Sequence, residues 1–392
     1  MKTEKETIGV VGAGAMGAGI AQVAAQAGHH VILIDERETA LVRSEEELNR
    51  IADRLVSKGT WTAAESQSIR SNVRRTTDWN ALKGCAWVIE AIVEQLDIKS
   101  GVFQKIEGIV GPDTVLASNT SSLSLTAIAG AMQEPNRFMG LHFFNPAPLM
   151  QLVEVIPALQ SHPDHIARGV ELMKSWGKHP VVAKDTPGFI VNRVARPFYG
   201  EALRIVEEGL ADCATVDAAM RSAGFRMGPF ELMDLIGNDI NYAVTCSVFE
   251  ACYFDPRYRP SLIQKQHVDA GWLGRKSGRG YYDYSKPVQS ATADESADSN
   301  AIVERIVERI VAMLINEAVE ALYLNIATAE DLETAMTKGV NYPKGLLQWA
   351  NDWGIPRTLE IMERLQQRYG EDRYRPSILL RRKVEEQSRF TW

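Results

Sequence analysis

The chain has 392 residues, too many for one ordinary domain, so two or three are expected. Hydrophobic residues make up 45% and charged residues 24%, a usual globular balance. A net charge of −7 argues against non-specific nucleic-acid binding, which rests on neutralising phosphates.

The N-terminal Met-Lys-Thr-Glu-Lys-Glu-Thr lacks the apolar centre of a signal peptide, and no run approaches the roughly 20 apolar residues of a membrane helix. Cys85, Cys213, Cys246 and Cys252 form no metal-ligand spacing. A cytoplasmic protein with reduced thiols and no metal is expected.

Thr7–Val11 reads as a buried strand, followed at once by Gly12-Ala-Gly14-Ala15-Met16-Gly17 and a small-residue helix ending at Gly28. A second strand, Val31–Ile34, ends at Asp35. This is the dinucleotide fingerprint in its βαβ setting. Gly12 serves the tight turn, Gly14 the approach of the pyrophosphate, and Gly17 the packing of helix on strand. The pyrophosphate would rest on amides of the helix N-terminus. Asp35 would accept from the ribose diol and repel a 2′-phosphate, which favours NAD, although Arg37 nearby could accommodate that phosphate.

From Glu38 to about Arg75 the pattern is helical, with Leu41, Leu48, Ile51 and Leu55 on one face. Gly59 breaks it, and Thr62-Ala-Ala-Glu65 forms a capping box for a second helix. This helical hairpin is either a solvated pair or a flap whose Arg50, Arg54 and Lys58 meet a polyphosphate tail. Trp87–Glu94 reads as a further strand ending in an acid, with Lys99 near the start of the next helix. Thr114–Ser118 is another strand, and Asn119-Thr-Ser121-Ser122 is its polar exit, with Ser122 read as a helix cap.

Phe138–Phe144 and Leu152–Ile156 then make a strand–turn–strand segment that brings His142, Asn145 and Glu154 close together. A histidine is the usual general base for a hydroxyl proton, and a carboxylate on its second nitrogen fixes the tautomer. The competing reading is a core histidine on a structural glutamate. It loses ground because every candidate polar residue lies at a strand end or in the turn beyond it.

Pro187 and Gly188 break an extended lead-in to a helical region with segments at Ala195–Glu208, Val216–Ala223, Pro229–Leu235 and Ile240–Phe254. Such a helical unit must bury its apolar faces on a copy of itself or on a partner. Ser285–Asn300 has linker composition. A repeat follows: Arg257-Tyr-Arg-Pro-Ser261 recurs as Arg373-Tyr-Arg-Pro-Ser377, and Glu201-Ala202 as Glu317-Ala318, each 116 positions on. The second copy has Glu308 where the first has Asn192, and no histidine–glutamate segment precedes it.

These residues resemble the L-3-hydroxyacyl-CoA dehydrogenase family. The resemblance rests on Gly12–Gly17, Glu90-Ala-Ile-Val-Glu94, Ser118-Asn-Thr-Ser-Ser122, His142-Phe-Phe-Asn-Pro146, Lys184–Arg193 and Gly228-Pro-Phe-Glu-Leu232. It implies an α/β Rossmann-type NAD-binding domain followed by two repeated all-α C-terminal-type domains. The expected bounds are 1–185, with the hairpin insertion at about 38–75; 186–285 for substrate and dimerisation; a linker at 286–300; and 301–392 for a degenerate repeat.

The resemblance also implies roles. His142 is expected as the catalytic base with Glu154 as its partner, Ser121 as the hydroxyl on the substrate's 3-oxygen, and Asn192 as an amide holding substrate and histidine. Gly12, Gly14, Ala15, Met16, Gly17 and Asp35 belong to the cofactor turn, and Glu94, Lys99 and Asn145 to the nicotinamide ribose and ring. Lys58 corresponds to a coenzyme A contact. The activity implied is oxidation of (S)-3-hydroxyacyl-CoA by NAD, with no nucleic-acid or membrane partner and a homodimer or an intramolecular pseudo-dimer through the helical domains. Two alternatives share the scaffold: a sugar-acid dehydrogenase acting on a substrate such as L-gulonate, and a crystallin-like NAD-binding protein without catalysis.

Overall fold

The computed structural model describes residues 5–286 and 297–392, with the backbone alone at 297–299. It divides into two compact units, Met1–Thr186 and Pro187–Trp392.

The first unit is built on an eight-stranded sheet in the order β3-β2-β1-β4-β5-β6-β7-β8. Its strands are β1 (Thr7–Val11), β2 (His30–Ile34), β3 (Val73–Thr76), β4 (Trp87–Glu90), β5 (Val115–Ser118), β6 (Phe138–Phe143), β7 (Leu152–Pro157) and β8 (His179–Val182). Neighbours are parallel except β6 and β7, which form an antiparallel pair. Parallel strands covered on both faces carry near-continuous apolar runs, and β4, β5 and β6 are buried at every position. The helices are α1 (Ala15–Gln26), α2 (Glu38–Ser57), α3 (Ala63–Ser71), α4 (Leu96–Glu107), α5 (Leu125–Ala129) and α6 (Pro163–Ser175). Ile20, Ala24, Leu41, Leu48 and Met173 pack with Val10, Leu33, Ile89 and Val155 in one core.

Four details differ from the sequence reading. The helical hairpin closes at Ser71, because Val73–Thr76 pairs in register with Val31–Ile34 as an edge strand. Strand β4 stops at Glu90, four residues before Glu94. His179–Val182 adds a further edge strand on β7. The cap of α5 is Ser124, whose side chain accepts from Ala127 N, and not Ser122. Asp185 decides that choice by accepting from Ser124 Oγ, Leu125 N and Thr126 N at 2.7–3.1 Å, which anchors the helix start at this serine. The capping box is present as read: Thr62 N donates to Glu65 Oε2 at 2.7 Å, and Glu65 N to Thr62 Oγ1 at 3.1 Å.

Within the second unit, α7 (Val191–Val194), α8 (Arg196–Glu207), α9 (Cys213–Ser222), α10 (Pro229–Ile236), α11 (Asn238–Ala251) and α12 (Leu262–Asp269) form one set of helices. The other set is α13 (Ala297–Tyr323), α14 (Ala329–Gly339), α15 (Leu346–Trp353), α16 (Ile355–Tyr369) and α17 (Ile378–Glu385). Helix α13 starts inside the segment read as a linker, whose residues 287–296 lie outside the described part.

The apolar face of α13 is buried against α8 and α9 of the first repeat and α15 and α16 of its own. Its charged groups exchange partners with the first repeat. Arg193 Nε meets Glu317 Oε1 at 2.7 Å, and Arg309 Nε meets Glu201 Oε2 at 2.8 Å. Tyr258 OH donates to Glu317 and Tyr374 OH to Glu201. Each residue in one set stands 116 positions from its counterpart in the other. That exchange, i with j and then j with i, is the pattern of a two-fold isologous interface, here written within one chain.

Candidate active site

The Gly12–Gly17 turn has no room for side chains where it bends. Gly12 has φ +102°, and a Cβ there would lie 2.5 Å from the Ala91 carbonyl oxygen. A Cβ on Gly17 would lie 1.8 Å from the Gly12 carbonyl oxygen. At Gly14 the outcome is opposite: a Cβ would meet nothing within 4 Å. The N-terminus of α1, with Gly14, Ala15 and Met16 at least partly open to solvent, has no side-chain cap. Its amides are thus presented to an outside anion. Asp35 lies at the end of β2, where its Oδ2 accepts from Ala13 N at 2.9 Å and its Oδ1 from Arg37 N at 3.0 Å. Arg37 Nε also leans on Asp35 at 3.4 Å, so the acid and this arginine are paired. The turn, the uncapped helix and the carboxylate fit a dinucleotide.

Two strands along, Glu94 organises the exit of β5. Its Oε1 accepts from Thr120 Oγ1 at 2.6 Å, Ser121 N at 2.8 Å, Ser122 N and Ser122 Oγ at 3.1 Å, and Ser121 Oγ at 3.3 Å. Burial works to raise the Glu94 pKa, but the Lys99 ammonium and these donors outweigh it and hold the carboxyl below its usual range. Lys99, read as a cofactor contact, is only 1% exposed. Its Nζ sits 2.6 Å from Glu90 Oε1 and 3.3 Å from Glu94 Oε2, so it fixes Glu94 from behind.

Sequence reasoning missed Glu90. This fully buried acid ends β4, accepts from Lys99, from Ser118 Oγ at 2.6 Å and from Ile92 N at 2.6 Å, and so ties two strand exits together. The available signal was a carboxylate closing the apolar run Trp-Val-Ile, which must find partners once buried.

The register of β6 on β7 sets His142 directly opposite Glu154. Both are buried, 6% and 0% exposed, and His142 Nδ1 lies 2.6 Å from Glu154 Oε2. Cross-strand neighbours on one face are the closest contacts a sheet offers, so the pair is held by backbone geometry rather than by flexible stems. The Phe144 ring lies 4.6 Å from the imidazole, and Asn119 Oδ1 accepts from Phe143 N at 2.8 Å, joining the β5 exit to the histidine strand.

Asn145 is exposed in the turn beyond β6. Buried Lys178, also missed, anchors that turn by donating to Ala147 O at 2.6 Å and Met150 O at 2.8 Å. Nothing in its local sequence marks this, since both acceptors are backbone carbonyls.

The structure thus brings His142 to Glu154, and Ser121 and Lys99 to Glu94. Lys58 stands exposed at the C-terminus of α2, on the hairpin. Asn192 belongs to the second unit, on α7. Among the described residues no cluster of three or more His, Cys, Asp or Glu is placed to hold a metal, and no helix is long and apolar enough to cross a membrane.

Comparison with known proteins agrees with this geometry. Residues 7–186 match the 3-hydroxyacyl-CoA dehydrogenase NAD-binding domain. The C-terminal domain of that family matches twice, at 188–284 and 306–389. A 3-hydroxyadipyl-CoA dehydrogenase of Escherichia coli is 38% identical, with 98% of each chain covered. The pig mitochondrial hydroxyacyl-coenzyme A dehydrogenase is 41% identical over 70% of this chain and 90% of its own. The crystal structure of a 3-hydroxybutyryl-CoA dehydrogenase from Escherichia coli superposes with a TM-score of 0.93, covering 98% of this chain and 99% of that one at 38% identity. The glycine turn, the buried histidine–glutamate pair and both helical repeats therefore have one explanation: the chain belongs to the 3-hydroxyacyl-CoA dehydrogenase family, oxidoreductases that use NAD.

Proposed function

We propose that this enzyme oxidises (S)-3-hydroxyacyl-CoA to 3-oxoacyl-CoA, and runs the reverse reaction, with His142 as the group that moves the hydroxyl proton. The observation that carries the reading is the 2.6 Å contact between His142 Nδ1 and Glu154 Oε2, both buried. A carboxylate on Nδ1 keeps the proton there and directs Nε2 toward the substrate hydroxyl. It also offsets the positive charge that arrives on the imidazole with the substrate proton. The chemistry that bound NAD supplies is acceptance of hydride from the substrate's C–H bond. Residues Gly12, Gly14, Ala15, Met16, Gly17 and Asp35 hold its dinucleotide, and Glu94 and Asn145 the nicotinamide ribose and ring. Ser121 and Asn192 donate to the oxygen whose charge grows during transfer. Lys99 acts through Glu94, and Lys58 on the hairpin meets the coenzyme A tail.

The acyl group is short, with or without a terminal carboxylate, as the names of the two Escherichia coli relatives indicate. The reciprocal pairs support reading the second repeat as an internal replacement for a partner subunit. Four free cysteines accord with a reducing cytoplasm.

NADH consumption with acetoacetyl-CoA tests the reaction. Turnover that is lost in His142→Gln, while NADH still binds, is the expected result. A protein that ignored the thioester and oxidised L-gulonate would overturn the coenzyme A reading and leave the fold intact. For the acyl group, kcat/KM should be higher on 3-hydroxybutyryl-CoA or 3-hydroxyadipyl-CoA than on a long-chain thioester.

A further inference from the structure

Helix α7 has only four residues, and it carries Asn192. One helical turn is too short to hold its own direction, because nucleation costs more than a single turn returns. Its direction must come from what packs on it. Every residue from Gly188 to Tyr199 is buried except Asn192, which is half-buried. The packing of its neighbours therefore sets where this one amide is presented.

The lead-in to the turn is tight. Gly188 has φ +76°, and a Cβ there would lie 2.9 Å from Arg193 N and 3.2 Å from the Asn192 carbonyl carbon. Phe189, 1% exposed, also takes a positive φ, +47°, which a bulky residue adopts only where its surroundings impose it. Arg193 N closes the turn by donating to Gly188 O at 3.1 Å.

The far side of the turn is gripped from the other repeat. Helix α7 packs on α8 and α11 of its own repeat and on α13 and α14 of the second. Arg193, the residue after Asn192, is buried, and its Nε meets Glu317 Oε1 on α13 at 2.7 Å. Tyr258 OH donates to the same oxygen, and its ring lies 5.5 Å from the Arg193 guanidinium. Burial works to lower the Arg193 pKa, but Glu317 outweighs it, so the guanidinium stays charged and clamped.

The same clamp recurs 116 positions on, in a different setting. Arg309 Nε meets Glu201 at 2.8 Å, and Tyr374 OH donates to Glu201 at 2.8 Å. Arg309, however, lies within the 27-residue α13 and also holds Glu208 at 2.8 Å. The residue before it is Glu308, whose carboxylate meets Arg357 at 2.8 Å and Arg364 at 2.9 Å. One clamp thus acts on a long helix that has other anchors. The other acts on a single turn next to Asn192.

We infer that Glu317 is a positioning residue for the dehydrogenase reaction, acting through Arg193 to hold the α7 turn so that Asn192 meets the substrate oxygen. This rests on the role proposed above for Asn192. Glu317 is 1% exposed and acts at one remove. The second repeat, without a histidine–glutamate segment of its own, thereby completes the site of the first.

Steady-state kinetics on the full chain, below the unfolding transition of each variant, test this with acetoacetyl-CoA and NADH. Glu317→Gln should lower kcat/KM for the thioester by about 10–100-fold, the size expected when a reacting group is misplaced by a remote change, with KM for NADH within about threefold. Glu201→Gln breaks the matching clamp and should leave kcat/KM within about threefold. In an Asn192→Ala background, Glu317→Gln should cost less than about threefold more, because its effect passes through that amide. Should Glu317→Gln not fold, Arg193→Lys against Arg309→Lys makes the same comparison, since lysine keeps the charge and loses the guanidinium fork. Equal losses from the two clamps, or a full further loss in the Asn192→Ala background, overturn the inference. An impaired Asn192→Ala beside a fully active Glu317→Gln overturns it alone, whereas a fully active Asn192→Ala overturns the proposed role of Asn192 and this inference with it.

Discussion

Two buried carboxylate clusters invite comparison. In the first unit Glu154, fully buried, faces one imidazole across an antiparallel pair. In the second, Glu201 and Glu317, each 1% exposed, face guanidinium groups and a tyrosine hydroxyl across the repeat seam. Burial and distances are similar, and the partners decide what each cluster can do. An imidazole exchanges its proton near neutral pH, whereas a guanidinium does not give one up in a protein. The same burial that makes Glu154 a support for proton transfer makes Glu201 and Glu317 fixed counter-charges. Proximity of acid and base is therefore no mark of catalysis; a titratable partner within that proximity is.

The comparison breaks first at His142. Replacement with Gln keeps a polar side chain of similar reach and removes the exchangeable proton, so kcat should fall by about 10²–10⁴-fold. NADH affinity, measured by fluorescence titration, should stay within about threefold, because the dinucleotide turn is built from other residues. Equal loss in both would mean that the histidine holds structure rather than moving a proton. Glu154→Gln should follow with a loss of roughly 10–100-fold in kcat, the size found when an orienting partner is removed.

At the seam the expected loss is in stability. Glu317→Ala leaves Arg193 buried without its counter-charge and Arg257 with Glu320 alone, at 3.7 Å, and removal of one partner of a buried pair costs about 3–5 kcal/mol. Urea unfolding should show this for Glu317→Ala and, through Arg204, with Arg309 keeping Glu208, for Glu201→Ala. If only one of the two destabilised the protein, the reciprocal description of the seam would fail.

Glu90→Gln tests a smaller effect within the first unit. It removes the negative charge facing Lys99 and leaves the ammonium to Glu94. Glu94 should shift toward Lys99 and release Ser121 and Ser122, raising KM for NAD more than it lowers kcat. Equal changes in both would make Glu90 a folding residue only.

How much of this was legible follows from where each constraint resides. The glycine turn is legible because its requirement is local: Gly12 and Gly17 meet backbone oxygens that any Cβ would strike. His142 and Glu154 are legible because a short turn between two apolar strands leaves few registers. The repeat is legible because identical residues return at one spacing.

The four-residue strands at Val73 and His179 are not legible, since each is a strand only through its neighbour. Ser122 and Ser124 are equally good caps by residue type, and a carboxylate 61 positions from Ser124 chooses between them. The seam is the extreme case. The sequence displays Arg204 beside Glu320 once the repeats are aligned, but not that Arg204 turns to Glu201 while Glu320 faces Arg257.

The smallest effect concerns pH and sharpens the contrast between titratable and fixed charge. Asp217, on α9, accepts from Phe230 N at 2.9 Å and Glu231 N at 3.0 Å at the start of α10, and from Tyr282 OH at 2.6 Å. Burial pushes its pKa up to about 7, against these hydrogen bonds. The folded chain then binds more protons here than the unfolded one between roughly pH 4 and 7, so stability should fall as pH rises through that window. Its counterpart Glu333 accepts from Leu347 N and Gln348 N, and burial raises its pKa as well, so it contributes in the same direction. Asp217→Asn removes one titration and keeps one acceptor. Between pH 5 and 7.5 the Tm of the variant should decline less than that of the wild type. If the two declined in parallel, the carboxylate would be ionised throughout, and Asp217 would join Glu201 and Glu317 as a fixed charge.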